Sequence, residues 1–132
     1  MADANMTIGS VTARSGKSRM RRVTFTHTAS GTAVGSATTT FPITGKLLRF
    51  VTTGGDGAWT FVLNDGIADI YTSASLTATA TSGALSMHAT VPHDGIPMAG
   101  QTLLCTTGGI STTAPTITII WEESAESAAI RA

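Results

Sequence analysis

The chain has 132 residues, a formal net charge of zero and 12% charged residues, where an ordinary soluble domain carries about 25%. That length supports one domain around a single core, and its one cysteine, Cys105, excludes an internal disulfide framework. Surface charge normally keeps a free protein apart from its neighbours, so the composition points to a chain covered by other protein.

The first 22 residues form a distinct segment. Five of the eight basic residues, Arg14, Lys17, Arg19, Arg21 and Arg22, fall within nine positions. The surrounding Gly, Ser and Ala show no helical or strand period, so residues 1–22 read as an extended basic arm. Three readings apply: contact with an acidic neighbouring protein, a solvated arm, or binding of nucleic-acid phosphates. The last is disfavoured, because no aromatic residues interleave with the cations and the chain as a whole has a pI near 6.8. Protein contact is the expectation carried forward. Met1 to Ser10 holds no apolar run, so no secretory signal is expected and synthesis in a cytoplasm is.

Residues 23–121 read as a β-rich body. Val23, Phe25 and His27 alternate with Thr24, Thr26 and Thr28 as a half-buried strand. A second strand is expected from Thr38 to Ile43, where Pro42 marks an edge or a bulge. Lys46–Thr52 and Trp59–Leu63, joined by Gly54-Gly55-Asp56-Gly57, read as a hairpin. Asn64-Asp65-Gly66 is the next turn, followed by strands at Ile67–Ser73 and Leu76–Thr81. Leu85, Met87, Ala89 and Val91 alternate with Ser86, His88 and Thr90. Pro92 to Gln101 reads as the longest loop, and strands at Thr102–Thr107 and Thr116–Trp121 close the body. Eight or nine short strands with no helical segment between them indicate an all-β fold, an antiparallel β-sandwich or jelly roll. Residues 122–132 form an acidic tail with Glu122, Glu123 and Glu126, either a short terminal helix or an extended segment.

Candidate chemistry is sparse. His27, His88 and His93 show no close same-face spacing, so no metal site is expected. Asp65 and Asp69 lack the partner and pocket of an acid–base pair, since Asn64-Asp65-Gly66 is a good turn on its own terms. Gly54-Gly55-Asp56-Gly57 lacks the lysine and helix of a phosphate-binding loop. No catalytic residue and no cofactor is expected. Cys105, in the apolar run Leu103-Leu104-Cys105, reads as a buried structural thiol. Trp59, Tyr71 and Trp121 could stack on a sugar, but Trp59 and Trp121 lie in strands of core composition. No apolar stretch approaches the roughly 20 residues of a membrane-spanning helix.

The runs Thr44 to Thr52 and Trp59 to Ile70, with Gly109 to Glu123 ending in Thr116-Ile117-Thr118-Ile119-Ile120-Trp121, resemble small structural proteins of tailed-phage virions. The likeness spans residues 40–123 and lies in strand-and-turn texture. Among such proteins the chain is most similar to the head decoration, or cement, class: small β-sandwiches on the outside of the capsid, often trimers, that brace the shell. The resemblance implies the major capsid protein and further copies of the chain, as a homotrimer, for partners, and the capsid surface of a virion for location. It implies no catalytic residues. A tail or fibre component and a carbohydrate-binding β-sandwich module are the alternatives.

Overall fold

The computed structural model describes residues 6–8, 20–27, 35–55, 58–77, 80–85, 95–108 and 115–123. Ten strands run through them: β1 (Met6–Ile8), β2 (Met20–His27), β3 (Gly35–Thr38), β4 (Ile43–Gly54), β5 (Thr60–Asn64), β6 (Asp69–Thr72), β7 (Thr81–Ala84), β8 (Ile96–Gln101), β9 (Leu104–Gly108) and β10 (Pro115–Glu123). No helix occurs among the described residues. Alternation decides which side of each strand is buried. In β10, Pro115, Ile117, Ile119, Trp121 and Glu123 face inward, while Thr116, Thr118, Ile120 and Glu122 are half-buried. In β2 the inward residues are Val23, Phe25 and His27, as their alternation predicts.

The strands form two antiparallel sheets packed as a sandwich, the architecture expected from the sequence. One sheet has the order β1-β2-β10-β4-β7, with β8 also paired to β4, and the other has the order β3-β9-β5-β6. Val23, Phe25, Leu47, Phe50, Ile117 and Ile119 from the first sheet meet Phe61, Leu63, Cys105 and Trp59 from the second side. Phe50 and Phe61 touch edge to face across the core, ring centroids 5.1 Å apart, and Tyr71 leans on both. Buried hydroxyls turn to the backbone. Thr52 donates to the Thr81 carbonyl, Thr107 to the Gly35 carbonyl, and Ser73 accepts from the Phe61 amide. In this way Thr and Ser occupy interior positions without an unsatisfied polar group. His27 differs: it is buried, and neither ring nitrogen has a partner among the described residues.

Several elements depart from expectation for identifiable reasons. Lys46–Thr52 and Trp59–Leu63 are not a hairpin. Phe50 and Phe61 carry apolar rings toward the same core from opposite sides, so β4 and β5 stack face to face in different sheets. The chain crosses between them, and Trp59 exchanges backbone hydrogen bonds with Leu76 instead, at 3.1 and 2.7 Å. The expected strand from Thr38 to Ile43 is also split, because residues 39–42 carry the chain from β3 in one sheet to β4 in the other. The second half of the expected loop at 92–101 is a strand, β8. Among the described residues it pairs only with β4, so the exposed Pro97 removes no ladder bond on its open side. Ser86 to Asp94 lie outside the described residues, as does the proposed strand through Met87 and Ala89. The body is longer at both ends than 23–121: β2 starts at Met20 and β10 continues through Glu123. Met6–Ile8, within the expected arm, pair with Phe25–His27 as β1.

Two short crossings, residues 39–42 and 102–103, join the sheets at one end and are stitched to each other. The Thr39 amide donates to the Leu103 carbonyl at 2.9 Å. The Thr39 hydroxyl accepts from the Leu103 amide at 3.0 Å and donates to the Phe41 carbonyl at 2.9 Å. Gly45 allows a second close approach there: its φ is +139°, and a Cβ would collide with the Glu122 carbonyl. Thr39 is almost wholly buried, so Thr39→Val, which keeps the shape and removes the hydroxyl, should leave the Leu103 amide unsatisfied. The expected loss is about 1–3 kcal/mol, read as a lowered urea midpoint at unchanged slope. An unchanged midpoint would show that the clasp does not hold the sheets.

Candidate interaction face

The outward side of the six-stranded sheet is an ordered array read directly from the strand register. Across β2, β10 and β4 its rows are Thr26–Thr116–Thr53, Thr24–Thr118–Val51, Arg22–Ile120–Arg49 and Met20–Glu122–Lys46. The first two rows are dominated by hydroxyls. Thr24 and Thr118 share a hydrogen bond of 3.0 Å, and Thr53 and Thr116 share another. The last two rows set Ile120 and Met20 among Arg22, Arg49, Lys46 and Glu122, and the Arg49 guanidinium donates to the Ser82 hydroxyl at 3.1 Å. One face therefore grades from a field of hydroxyls to a mixed apolar and cationic end.

The sequence-predicted basic cluster divides on this frame. Arg14, Lys17 and Arg19 lie outside the described residues. Arg21 and Arg22 are both in β2, and adjacency in a strand sends them to opposite faces. Arg22 is exposed on the outward face. Arg21 points inward, where its guanidinium donates to the Glu123 carboxylate at 3.3 Å and lies 5.7 Å from the centre of the Trp121 ring. The side chains of the pair are 17% and 4% exposed. Arg21 thus closes one end of the core.

Sequence reasoning missed Lys46 and Arg49 as companions of Arg22. Three positions apart in a regular strand, they would face opposite ways. The register of β4 against β10 slips between Ile120 and Trp121, so that Arg49 opposes Ile120 while Leu47 opposes Trp121. Leu48 is the extra residue, its carbonyl accepting from the Leu85 amide at 2.8 Å. This bulge puts Lys46 and Arg49 on one face. No spacing rule applied to β4 alone reveals it.

A second feature projects from the other sheet. The loop between β5 and β6 is held by its own side chains: the Asp65 carboxylate accepts from the Ile67 and Ala68 amides, each at 2.9 Å. Asn64 accepts from the Gly66 amide at 2.7 Å and donates to Asp69 at 2.9 Å. Asp65 is therefore a turn acceptor, as the sequence suggests. The Ala68 and Ile67 amides stabilise its charged form and hold its carboxyl below the ordinary value of 3.8.

Other candidate residues are structural. Trp59 and Trp121 lie in the core and Tyr71 is half-buried against it, where burial raises its phenol. Cys105 is fully buried, and burial pushes its thiol far above the ordinary range, which makes it inert toward electrophiles at neutral pH. His88 and His93 lie outside the described residues. Among the described residues no three His, Cys, Asp or Glu side chains gather as metal ligands would.

No protein-family model matches the chain, and no curated protein is significantly similar to it. Among solved structures it is similar to the family 11 carbohydrate-binding module of the cellulosomal cellulase Lic26A-Cel5E of Clostridium thermocellum. The two are 11% identical, with 94% of this chain and 86% of that chain covered and a TM-score of 0.34. So loose a likeness carries nothing about function.

The Asp65 turn yields a direct measurement. A carboxyl depressed in the folded protein stabilises its loop above the unfolded value and loses that effect as pH falls through the folded one. The Ile67 and Ala68 amide resonances should therefore shift together with a midpoint below 3.8, and Asp65→Ala should abolish the transition. A midpoint at or above 3.8 would contradict the hydrogen bonding described.

Proposed function

We propose that this chain is a non-catalytic structural protein that binds other protein through the outward face of its six-stranded sheet, and that the assembly it serves is a phage capsid. In this reading it is a decoration protein on the outside of the shell, in contact with the major capsid protein and with further copies of itself as a trimer. The observation that carries the reading is the hydroxyl array of Thr24, Thr26, Thr53, Thr116 and Thr118. Hydroxyls both donate and accept, so they adapt to a partner's groups. They also spare the desolvation cost of buried charge, and interface centres are depleted in Lys, Glu and Asp. A chain with 12% charged residues fits a surface made for contact. The carbohydrate-binding alternative gains little, because Trp59 and Trp121 are core residues and offer no platform for a sugar ring.

Sedimentation of the purified protein with empty tailed-phage capsids tests the reading. The protein should pellet with the shells and stay in the supernatant without them. Thr118→Glu, which sets an unpaired charge in the middle of the array, should weaken binding tenfold or more while circular dichroism stays that of a β-sandwich. A ΔΔG above about 1.4 kcal/mol is expected of a central interface residue. Failure of the unaltered protein to bind shells at micromolar concentration would overturn the proposal.

A further inference from the structure

Among the described residues only two large apolar side chains are strongly exposed, Met20 at 42% and Ile67 at 87%. A singly exposed isoleucine is ordinary on a loose loop, but this loop is not loose. Five hydrogen bonds fix residues 64–69: the Asp65 amide to the Ala68 carbonyl at 3.1 Å, and the four side-chain bonds described above. Ile67 is thus an apolar knob on a preorganised stem, and ordering it on contact costs little. Asp65 and Asp69, two residues to either side, give the knob an acidic collar.

The opposite sheet carries the complementary shape. A depression of about 130 Å³ opens beside Met20, Arg21, Arg22 and Ile120. Met20 and Ile120 supply its apolar floor. Arg22, exposed on the same face, supplies a cationic rim. The depression lies on β2 and β10 of the six-stranded sheet, whereas Ile67 stands on the loop between β5 and β6 of the other sheet.

We propose that Ile67 of one copy seats in the Met20–Ile120 depression of a second copy, with Asp65 and Asp69 set against Arg22. The burial of an apolar tip beside opposite charges gives both affinity and register. Knob and socket are different patches, so the contact is heterologous, and repeated head to tail it closes a ring if the rotation allows. This deepens the self-association in the functional reading above and rests on it; the socket lies at the apolar and cationic end of the same face whose other end carries the hydroxyl array.

Sedimentation of the full chain with two variants decides the matter. Ile67→Asp removes the knob and Met20→Asp spoils the socket. Both sites are exposed, so the β-type circular dichroism and thermal midpoint should hold. The unaltered protein should sediment as an assembly above 13.5 kDa at micromolar concentration, and each variant alone as the monomer, its association weakened tenfold or more. An equal mixture of the two variants retains one intact knob and one intact socket, so it should form a dimer that neither forms alone. An unaltered protein that stays monomeric, variants that associate as it does, or a mixture that fails to pair would each overturn the knob-and-socket contact. Capsid binding measured on the same samples separates this from the functional reading: shells bound by a monomeric Ile67→Asp leave that reading intact.

Discussion

The sandwich depends on how its two sheets are held in register, and that control is concentrated at Thr39. Two sheets that share only apolar contacts could slide, because hydrophobic attraction has no direction. The crossings 39–42 and 102–103 remove that freedom where they meet, with Thr39 using its amide and its hydroxyl on the same residue, Leu103. The hydroxyl also fixes the Phe41 carbonyl, and the Phe41 ring stacks on Trp121 at 6.1 Å. Trp121 in turn lies under Arg21, which is bound to Glu123. A hydrogen-bonded clasp thereby leads into a plug of aromatic and ionic contacts that closes the same end of the core.

The plug explains why charge appears inside a chain that avoids it. A buried ion pair stabilises little by itself, since desolvation offsets most of the attraction, but removing one partner leaves an unpaired charge. Arg21 and Glu123 meet diagonally across neighbouring strands β2 and β10, where Arg21 opposes Trp121. The pairing is satisfied only when these strands stand in that register. A slip by one residue would send Arg21 outward and Arg22 into the core. The ion pair acts as a register pin at the point where both strands end.

Much of this was legible in the chain. Strict alternation in Val23–His27 and Thr116–Trp121 fixed the inward residues of β2 and β10, and Asn64-Asp65-Gly66 announced its turn. What alternation cannot express is which sheet a strand joins. Nothing in Lys46–Thr52 or Trp59–Leu63 separates a hairpin from two strands stacked face to face, because both place one side of each against apolar neighbours. Pro97 and the glycines around it masked β8, since a strand paired on one side only tolerates residues that a central strand excludes. The interaction face was half visible. Its threonines stand out by composition, but Lys46 and Arg49 share it only through the bulge at Leu48, which arises from pairing with β10.

Among the described residues, adjacency of charge in sequence is therefore a poor guide to clustering in space. Arg21 and Arg22 are adjacent in sequence and serve opposite ends of the physical scale, one inside the core and one on the outer face. Arg22, Lys46 and Arg49 lie far apart or out of phase in sequence, yet the register gathers them beside Met20 and Ile120. A chain of zero net charge has no net monopole with which to steer a partner from a distance. Its electrostatic contribution must come from local groups placed a few ångströms from their counterparts, where screening by salt is weakest. Such placement depends on rigid strands and fixed turns more than on the number of charges. That dependence accounts for a sequence sparing in charged residues and exacting in its registers.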